Sequence, residues 1–385
     1  MKKTLTTLVL TVVALLGTGI VVLASASTLQ AMKYYHTPYG FFLRQAMWLL
    51  ASFVVLFLCS RFDYHLWKKH LLFPSAFYVL IVLLLALTLC PGIRKDINGS
   101  YRWLYLGPVH IQPGEFAKLA IVIAFAVWLD RIGWRVKQFG RGIAVPGAII
   151  GIFALLLYFE KDLGATMVVG VLGVSLMFIA GIRLRYLMPF ATVALSFGTW
   201  WVVRDPVRLG RITAWWAFLV DPSSAAQANH QLYQSIVAFM SGGPWGVGFN
   251  QSIQKYFYLP EAHTDFIFAI GGEELGFAFS IGVLVAYAIL LVCGALICLH
   301  AQDRLGRLLA FGMTLLLVFQ ATFNIGVVTG LLPTKGLALP FISYGGTNLL
   351  TALFAVGTLF NVGMHIGVHD DRMHAPVVRD AVSKV

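Results

Sequence analysis

Ten stretches of this chain are each apolar over close to the length a helix needs to cross a bilayer, and that pattern limits the fold more than any other. A hydrocarbon core roughly 30 Å thick takes about 20 mostly apolar residues at helical rise. The stretches lie at about 5–29, 41–59, 71–90, 114–130, 143–159, 162–180, 186–203, 264–299, 306–331 and 340–366. Of the 385 residues, 59% are hydrophobic and 11% charged, against roughly 25% charged in a soluble domain. A water-facing surface cannot be built from so few charges. The composition excludes a soluble enzyme, a disordered chain and a disulfide scaffold. It predicts one all-α polytopic membrane domain of about ten helices. One large loop, about 204–263, joins helices seven and eight, and a short tail runs from about 367 to 385.

The chain carries 28 Lys and Arg against 16 Asp and Glu, a net charge of +12. On a soluble protein such a charge would suggest nucleic acid; here it orients the helices, and no nucleic-acid partner is expected. With the N-terminus inside, sixteen basic residues face six acids on the inner ends, and twelve face ten on the outer ends. Both termini are therefore expected in the cytoplasm, with the large loop and the loops at 91–113 and 332–339 outside. The start, Met1-Lys2-Lys3 with Ala24-Ser25-Ala26 behind an apolar run, resembles a cleaved signal. Its apolar stretch is longer than the usual 7–15 residues, so it is read as the first membrane helix. Cys59, Cys90, Cys293 and Cys298 have no zinc spacing and read as small core residues.

Ionisable side chains near the bilayer are costly and mark candidate sites. Arg102 and Trp103 precede helix four, which opens Gln112-Pro113-Gly114-Glu115-Phe116-Ala117-Lys118. Glu115 and Lys118 share a face, as a local ion pair, a substrate contact or both. Helix six opens Glu160-Lys161-Asp162-Leu163-Gly164; Glu160 reads as a first-turn acid favoured by the helix dipole, and Asp162 as a candidate for the outer cavity. Arg204, Arg208 and Arg211 with Trp215 and Trp216 either anchor the loop among headgroups or hold a lipid-linked pyrophosphate. The glycine-rich Ser241-Gly242-Gly243-Pro244-Trp245-Gly246-Val247-Gly248 lacks the order of a nucleotide loop.

The sharpest signal is Tyr258-Leu259-Pro260-Glu261-Ala262-His263-Thr264-Asp265-Phe266, where a proline-turned loop enters helix eight. Asp265 could be an ordinary N-cap or first-turn acid, but it faces a region ringed by basic residues. Glu273 and Glu274 follow, roughly 12–14 Å deeper at 1.5 Å per residue, and at that depth read first as members of a structural ion pair. Pro333-Thr334-Lys335-Gly336 closes the loop before helix ten. Ser343-Tyr344-Gly345-Gly346-Thr347-Asn348 is expected about two turns into that helix.

From about residue 40 to 366 these motifs resemble the SEDS (shape, elongation, division and sporulation) family, which includes FtsW and RodA. Arg102-Trp103 with Gln112 to Lys118, Asp162-Leu163-Gly164, Leu259 to Phe268, Glu273-Glu274-Leu275-Gly276 and Pro333 to Gly346 carry the resemblance. Gln254-Lys255 before the Tyr258 to His263 run, and Thr334-Lys335-Gly336, look more like the division branch. Three positions depart from the family's pattern: Gly114 stands for a usual Ser, Gly271-Gly272 for an apolar pair that would stiffen helix eight, and Thr347-Asn348 for two serines.

The resemblance implies a ten-helix peptidoglycan glycosyltransferase that polymerises lipid II on the outer face of the cytoplasmic membrane at the division septum. Its implied partners are a class B penicillin-binding transpeptidase, other division membrane proteins, and lipid II with its lipid-linked glycan. The family's essential acid falls on Asp265 and a lysine important to activity on Lys335. Arg102, Glu115, Lys118 and Asp162 match polar positions of its central cavity. Arg208, Arg211 and Glu274 complete the candidate substrate contacts. Mg²⁺ or Mn²⁺ could assist, although no carboxylate cluster commits to either. A lipid II flippase, with Glu273 and Glu274 on its path, and a non-catalytic division scaffold are the alternatives.

Overall fold

The computed structural model describes residues 1–94, 96, 99–107, 109–221 and 229–373. Part of the large loop, 222–228, and the end of the expected tail, 374–385, lie outside the described residues.

Each of the ten apolar stretches forms a helix. In chain order the α-helices are α1 (Lys2–Ala26), α2 (Thr28–Tyr35), α3 (Gly40–Arg61), α4 (Leu66–Lys69) and α5 (Leu72–Leu89). A hairpin of β1 (Leu104–Leu106) and β2 (Val109–Ile111) follows. Then come α6 (Pro113–Ile132), α7 (Val145–Phe159), α8 (Leu163–Ile179), α9 (Leu184–Arg204), α10 (Pro206–Val220), α11 (His230–Gly242), α12 (Ile267–His300), α13 (Arg304–Val328) and α14 (Gly346–Met373). Among the described residues eight helices are long and apolar enough to span by those measures alone, α7 being counted with the π-helical turn Gly140–Ala144 that leads into it. The other two of the ten are α8, with 17 residues, and α6, which carries Glu115, Lys118, Asp130 and Arg131. In α6 the cost of charge is reduced by pairing: Lys118 Nζ lies 2.7 Å from Glu115 Oε1, and Asp130 Oδ2 lies 2.7 Å from Lys68 Nζ.

The centre of the bundle is α6, α8, α12, α13 and α14, with α3 laid along α14, α5 and α7 against α6 and α8, and α1 along α12. Leu8, Leu15, Val22 and Leu23 bury one face of α1 in this bundle. The opposite extreme is α9, which buries only Leu187 and Trp201 along its length. Its exposed Met188, Val193 and Leu195 form an outer apolar surface with Leu50 of α3 and Leu299 of α12. In water that surface would be a liability; against lipid it is neutral, which is why the chain needs so few charges.

Four local features differ from the sequence expectation. Helix α8 begins at Leu163, and Glu160 instead closes α7, because Lys161 takes a left-handed φ of 60° that ends one helix before the next starts. Helix α14 begins at Gly346, so Ser343 to Gly345 form a turn ahead of it. There Ser343 Oγ accepts from Leu339 N at 2.8 Å and Gln45 Oε1 from Gly345 N at 3.2 Å, partners that replace helical ones. The hairpin was not foreseen; it pairs Leu104 with Ile111 and sets Arg102 and Gln112 at its two ends.

The fourth is a break in α12 at Gly276, whose φ of 75° and ψ of −169° are non-helical. The glycine-rich segment of the large loop closes over this break. Val247 N donates to Glu273 O and Gly248 N to Glu274 O, both at 3.0 Å, and Phe277 N donates to Gly243 O at 2.9 Å. A Cβ on Gly246 would overlap the Glu274 carbonyl, and one on Gly276 the Gly246 amide. The glycines thus allow backbone to meet backbone and satisfy groups that the break frees. Gly271 and Gly272 serve packing, with the rings of Phe279 and Phe239 occupying the places their Cβ atoms would take.

Candidate functional site

Asp265 lies between α11 and α12 in a loop that its neighbours hold from three sides. Glu261 adopts a left-handed φ of 56°, and its carbonyl accepts from Thr264 N and Phe266 N at 3.2 Å. Ser343 Oγ donates to Thr264 O at 2.6 Å, and Tyr344 N to His263 O at 3.1 Å. Asn324 of α13 then donates through Nδ2 to Asp265 O at 2.8 Å and to Leu337 O at 2.6 Å. One buried amide therefore fixes the Asp265 loop against the segment that carries Lys335.

The Asp265 carboxylate has no part in building the helix. Phe266 is the N-cap of α12, and no side chain caps it. The ordinary reading of Asp265 as a helix-start acid is removed. Gly336 makes room for it, since a Cβ there would overlap Oδ2. Burial pushes Asp265 up to about 6 and Glu261 adds to this, while Arg102 and Lys335 work against it. A carboxyl held near 6 is ionised at neutral pH yet basic enough to take a proton.

Asp162 does cap its helix, accepting from Ala165 N at 3.1 Å through Oδ1, and its Oδ2 accepts from Gln112 Nε2 at 3.2 Å. Burial opposes its ionisation, but Lys335, Arg102, the Ala165 amide and Lys118 together hold it below the usual carboxylate range. Lys335 runs over Gly164, whose Cβ would stand 3.1 Å from Lys335 Cε and 3.4 Å from Asp162 Oδ1. Burial lowers Lys335, with Asp162 and Asp265 supporting its charge and Arg102 and Arg211 opposing it. Glu160, pushed up to about 8 chiefly by burial, accepts from Thr88 Oγ1 at 2.6 Å, and its carbonyl takes Tyr101 N at 3.1 Å next to Arg102.

Asp265, Lys335, Arg102, Asp162 and Lys118 with its partner Glu115 therefore gather into one mutually sensed set of charges, with Asp162, Lys118 and Glu115 buried and the other three partly so. Arg211 reaches it through Lys335. Arg208 senses Asp162 from a place over the Trp201 ring, 4.4 Å from its centre, with Asp205 Oδ2 3.1 Å from its Nε. Buried Arg102 Nε has no hydrogen-bond partner in this set, a donor left for an incoming anion.

Glu274 belongs to a different set at the α12 break. Its Oε1 accepts from Ser25 Oγ at 2.5 Å and Ser252 N at 3.2 Å, and pairs with Lys255 Nζ at 3.1 Å. Lys255 also donates to Asn250 Oδ1 at 2.6 Å and to Ser25 Oγ at 2.9 Å. Glu273 accepts from Ser252 Oγ and from Ile253 N at 3.0 Å. Sequence reading had the ion pair but not its cation, and it missed Asn324, Gly336 and the Glu160–Thr88 contact. An asparagine inside the apolar run of α13 was the available signal for the first.

Mg²⁺ and Mn²⁺ prefer a shell of oxygens. The outer set offers Asp265, Asp162, already engaged by Gln112 and Ala165, and Glu115, paired with Lys118, among several cationic side chains. That donor set does not make such a shell.

Comparison with known proteins adds relatives over nearly the whole chain. Residues 6–367 match the profile of the FtsW, RodA and SpoVE family, described as cell cycle protein. A protein of Trichlorobacter lovleyi named probable peptidoglycan glycosyltransferase FtsW is 40% identical over 355 residues, 92% of each chain. One of the same name from Legionella pneumophila is 38% identical, covering 91% of this chain and 88% of its own. Among solved structures, a chain from work on the structural coordination of polymerization and crosslinking by a peptidoglycan synthase complex aligns with a TM-score of 0.72 at 28% identity. The alignment covers 93% of this chain and 97% of that one. The rod shape determining protein RodA of Thermus thermophilus aligns at 0.67 with 26% identity, over 93% and 95%.

Proposed function

The chain belongs to the FtsW, RodA and SpoVE family of cell cycle proteins, and on that premise we propose that it is a peptidoglycan glycosyltransferase that polymerises lipid II in septal wall synthesis. The observation that carries the mechanism is Asp265: a half-buried residue whose carboxylate caps nothing, is held near 6, and has Lys335 and Arg102 within reach of its charge.

Asp265 is the general base. It takes the proton of the GlcNAc 4-hydroxyl on the acceptor lipid II as that oxygen attacks C1 of the sugar at the reducing end of the growing strand. The C4–O–C1 bond forms, the C1–O bond to the lipid pyrophosphate breaks, and the electron pair leaves on the pyrophosphate. An α-linked donor becomes a β-1,4 bond, so the displacement inverts. A positioned base contributes about 10²–10⁴ in rate. Lys335, Arg102 and Lys118 stabilise the charge that gathers on the leaving pyrophosphate, with Arg208 and Arg211 nearer the loop surface. The Asp162 carboxylate balances the charges of Lys335 and Arg102, and Gln112 orients Asp162.

The same reading gives the protein a class B penicillin-binding transpeptidase as partner, other division membrane proteins as neighbours, and a place at the septum with both termini in the cytoplasm. The surplus of basic residues on the inner helix ends supports that orientation. A flippase would need Glu273 and Glu274 along a path for the headgroup; their oxygens are instead taken up by Ser252, Ile253, Ser25 and Lys255. The test is to supply the purified protein, with a transpeptidase partner lacking its nucleophilic serine, with lipid II. Glycan strands support the proposal. Transbilayer movement of lipid II without strands supports transport, and neither activity in an intact complex supports a scaffold.

A further inference from the structure

The segment from Trp245 to Tyr258, between α11 and α12, is turned inside out for a loop in water. Its polar Ser252, Gln254 and Lys255 are buried, while Trp245, Phe249, Ile253, Tyr256, Phe257 and Tyr258 are exposed. Trp245 is 84% exposed, so nothing in the protein covers its ring. Lys255 is the only charged residue from 245 to 257, and its Nζ is taken by Glu274 at 3.1 Å. The outward face therefore offers rings and aliphatic groups without a charge. Phe257 holds its place there at a left-handed φ of 67°, a costly conformation for an aromatic residue.

Two helices give the depth of this face. From the break at Gly276 to His300, α12 runs roughly 36 Å at 1.5 Å per residue, more than the roughly 30 Å of a hydrocarbon core. Asp303 and Arg304 follow it at the far boundary, so the break lies at the near one, on the side of Asp265. From Lys2 to Ser25, α1 runs roughly 34 Å, with Lys2 and Lys3 at the far boundary. The two helices agree, because Ser25 Oγ donates to Glu274 Oε1 at 2.5 Å. Val247 N and Gly248 N bond the carbonyls of Glu273 and Glu274 at 3.0 Å, and Ile253 N bonds the Glu273 carboxylate at 3.0 Å. The apolar face is thus fastened where hydrocarbon gives way to headgroups. Next to it, exposed Phe277 of α12 and Val21 of α1 begin the lipid-facing surface of the spanning helices.

We propose that the loop from Trp245 to Tyr258 dips into the leaflet on the Asp265 side and binds the phospholipid surface at headgroup depth, an anchor added to the spanning helices. Tryptophan and tyrosine favour that zone because each has an apolar ring and a polar group to keep wet. A contiguous apolar patch of this kind marks a surface that something covers, and its continuity with the lipid-facing sides of α1 and α12 makes that something lipid. Exposed Lys33, near the end of α2, places its ammonium 5.4 Å from the centre of the Phe257 ring and 5.8 Å from that of Tyr34. A cation held among rings at this height suits a lipid phosphate. The inference rests on the membrane fold and not on the proposed reaction.

The test reconstitutes the full chain into phosphatidylcholine vesicles whose acyl chains carry bromine either near the headgroup or near the chain ends. Subtracting the fluorescence of Trp245→Phe, in which one exposed ring replaces another, isolates Trp245 from the other tryptophans. Its emission should be mostly lost with the shallow bromines and mostly kept with the deep ones and with iodide in the water. Independently, a nitroxide on Phe249→Cys, in a background whose native cysteines are changed to alanine, should collide more often with oxygen than with an aqueous nickel chelate. Trp245 emission quenched by iodide and untouched by either bromine, or a nitroxide reached more often by the chelate than by oxygen, overturns the proposal. A loop that faces water in this way is one for a protein partner to cover.

Discussion

Replacing Gly336 with alanine should disable the protein while leaving it folded. The added Cβ would overlap Asp265 Oδ2 and stand 2.8 Å from Cγ and 3.3 Å from Oδ1. Ordinary carbon–carbon contact begins at about 3.5 Å and Oδ2 stands nearer the new Cβ than Cγ does, so the carboxylate must retreat by roughly 1–1.4 Å. Gly336 has no left-handed φ, so its backbone accepts alanine, and the group that moves is the end of a side chain that caps no helix. The fold should therefore lose less than about 1 kcal/mol, in line with a mild local substitution. Chemistry is less forgiving, because a misplacement of about 1 Å at a reacting group costs on the order of 10²-fold. Strand synthesis from lipid II should be followed alongside the melting temperature in detergent. A variant that melts with the parent but polymerises about a hundredfold more slowly is expected. One that polymerises within twofold of the parent would refute the placement of Asp265 as the base.

Four further predictions follow the same geometry. Polymerisation should fall as pH drops through about 6, because protonation of Asp265, raised chiefly by burial, removes the base; an acid limb near about 4, the ordinary carboxyl value, would contradict its environment. Asn324→Leu strips the shared donor from the carbonyls of Asp265 and Leu337. Each buried acceptor left unpaired costs about 1–3 kcal/mol, so melting temperature and polymerisation should both fall, and an unchanged melting curve would argue against the tie. Lys255→Met leaves Glu274 buried without its cation, which should destabilise by about 3–5 kcal/mol; a melting point equal to the parent's would show that the cluster does not hold the α12 break. Gln112→Leu frees one oxygen of Asp162 and should slow polymerisation with little change in stability, an effect read from the two assays run together.

Much of the fold was legible because lipid imposes a length and a composition that each helix must meet by itself. The ten apolar stretches became helices for that reason, and Asp265, Lys335, Arg102, Lys118 and Asp162 stood out because ionised groups at such positions need a purpose. What stayed hidden was set by partners distant in sequence. Ser25 and Glu274 meet from 249 residues apart, and no local pattern announces that contact. Glu274 reads from sequence first as part of a structural ion pair and also as a candidate substrate contact; the ion pair is present, with Ser25, Ser252 and Lys255 grouped around it at a helix break that Gly276 and the glycine-rich loop make possible. Helix starts at Glu160 and Pro340 were misplaced for a related reason. Lys161 ends one helix with a left-handed turn, and Ser343 delays another by bonding to Thr264 and Leu339, choices that propensity does not encode.

Asp265→Asn is the most direct measurement. The substitution keeps the size of the side chain and removes its basicity. With the serine-deficient transpeptidase bound and the complex verified by co-elution, the parent should convert lipid II to strands, and the variant should lose at least about 10²-fold in rate. Strands made at the parent's rate by an intact Asp265→Asn complex would contradict the claim that this carboxylate is the base.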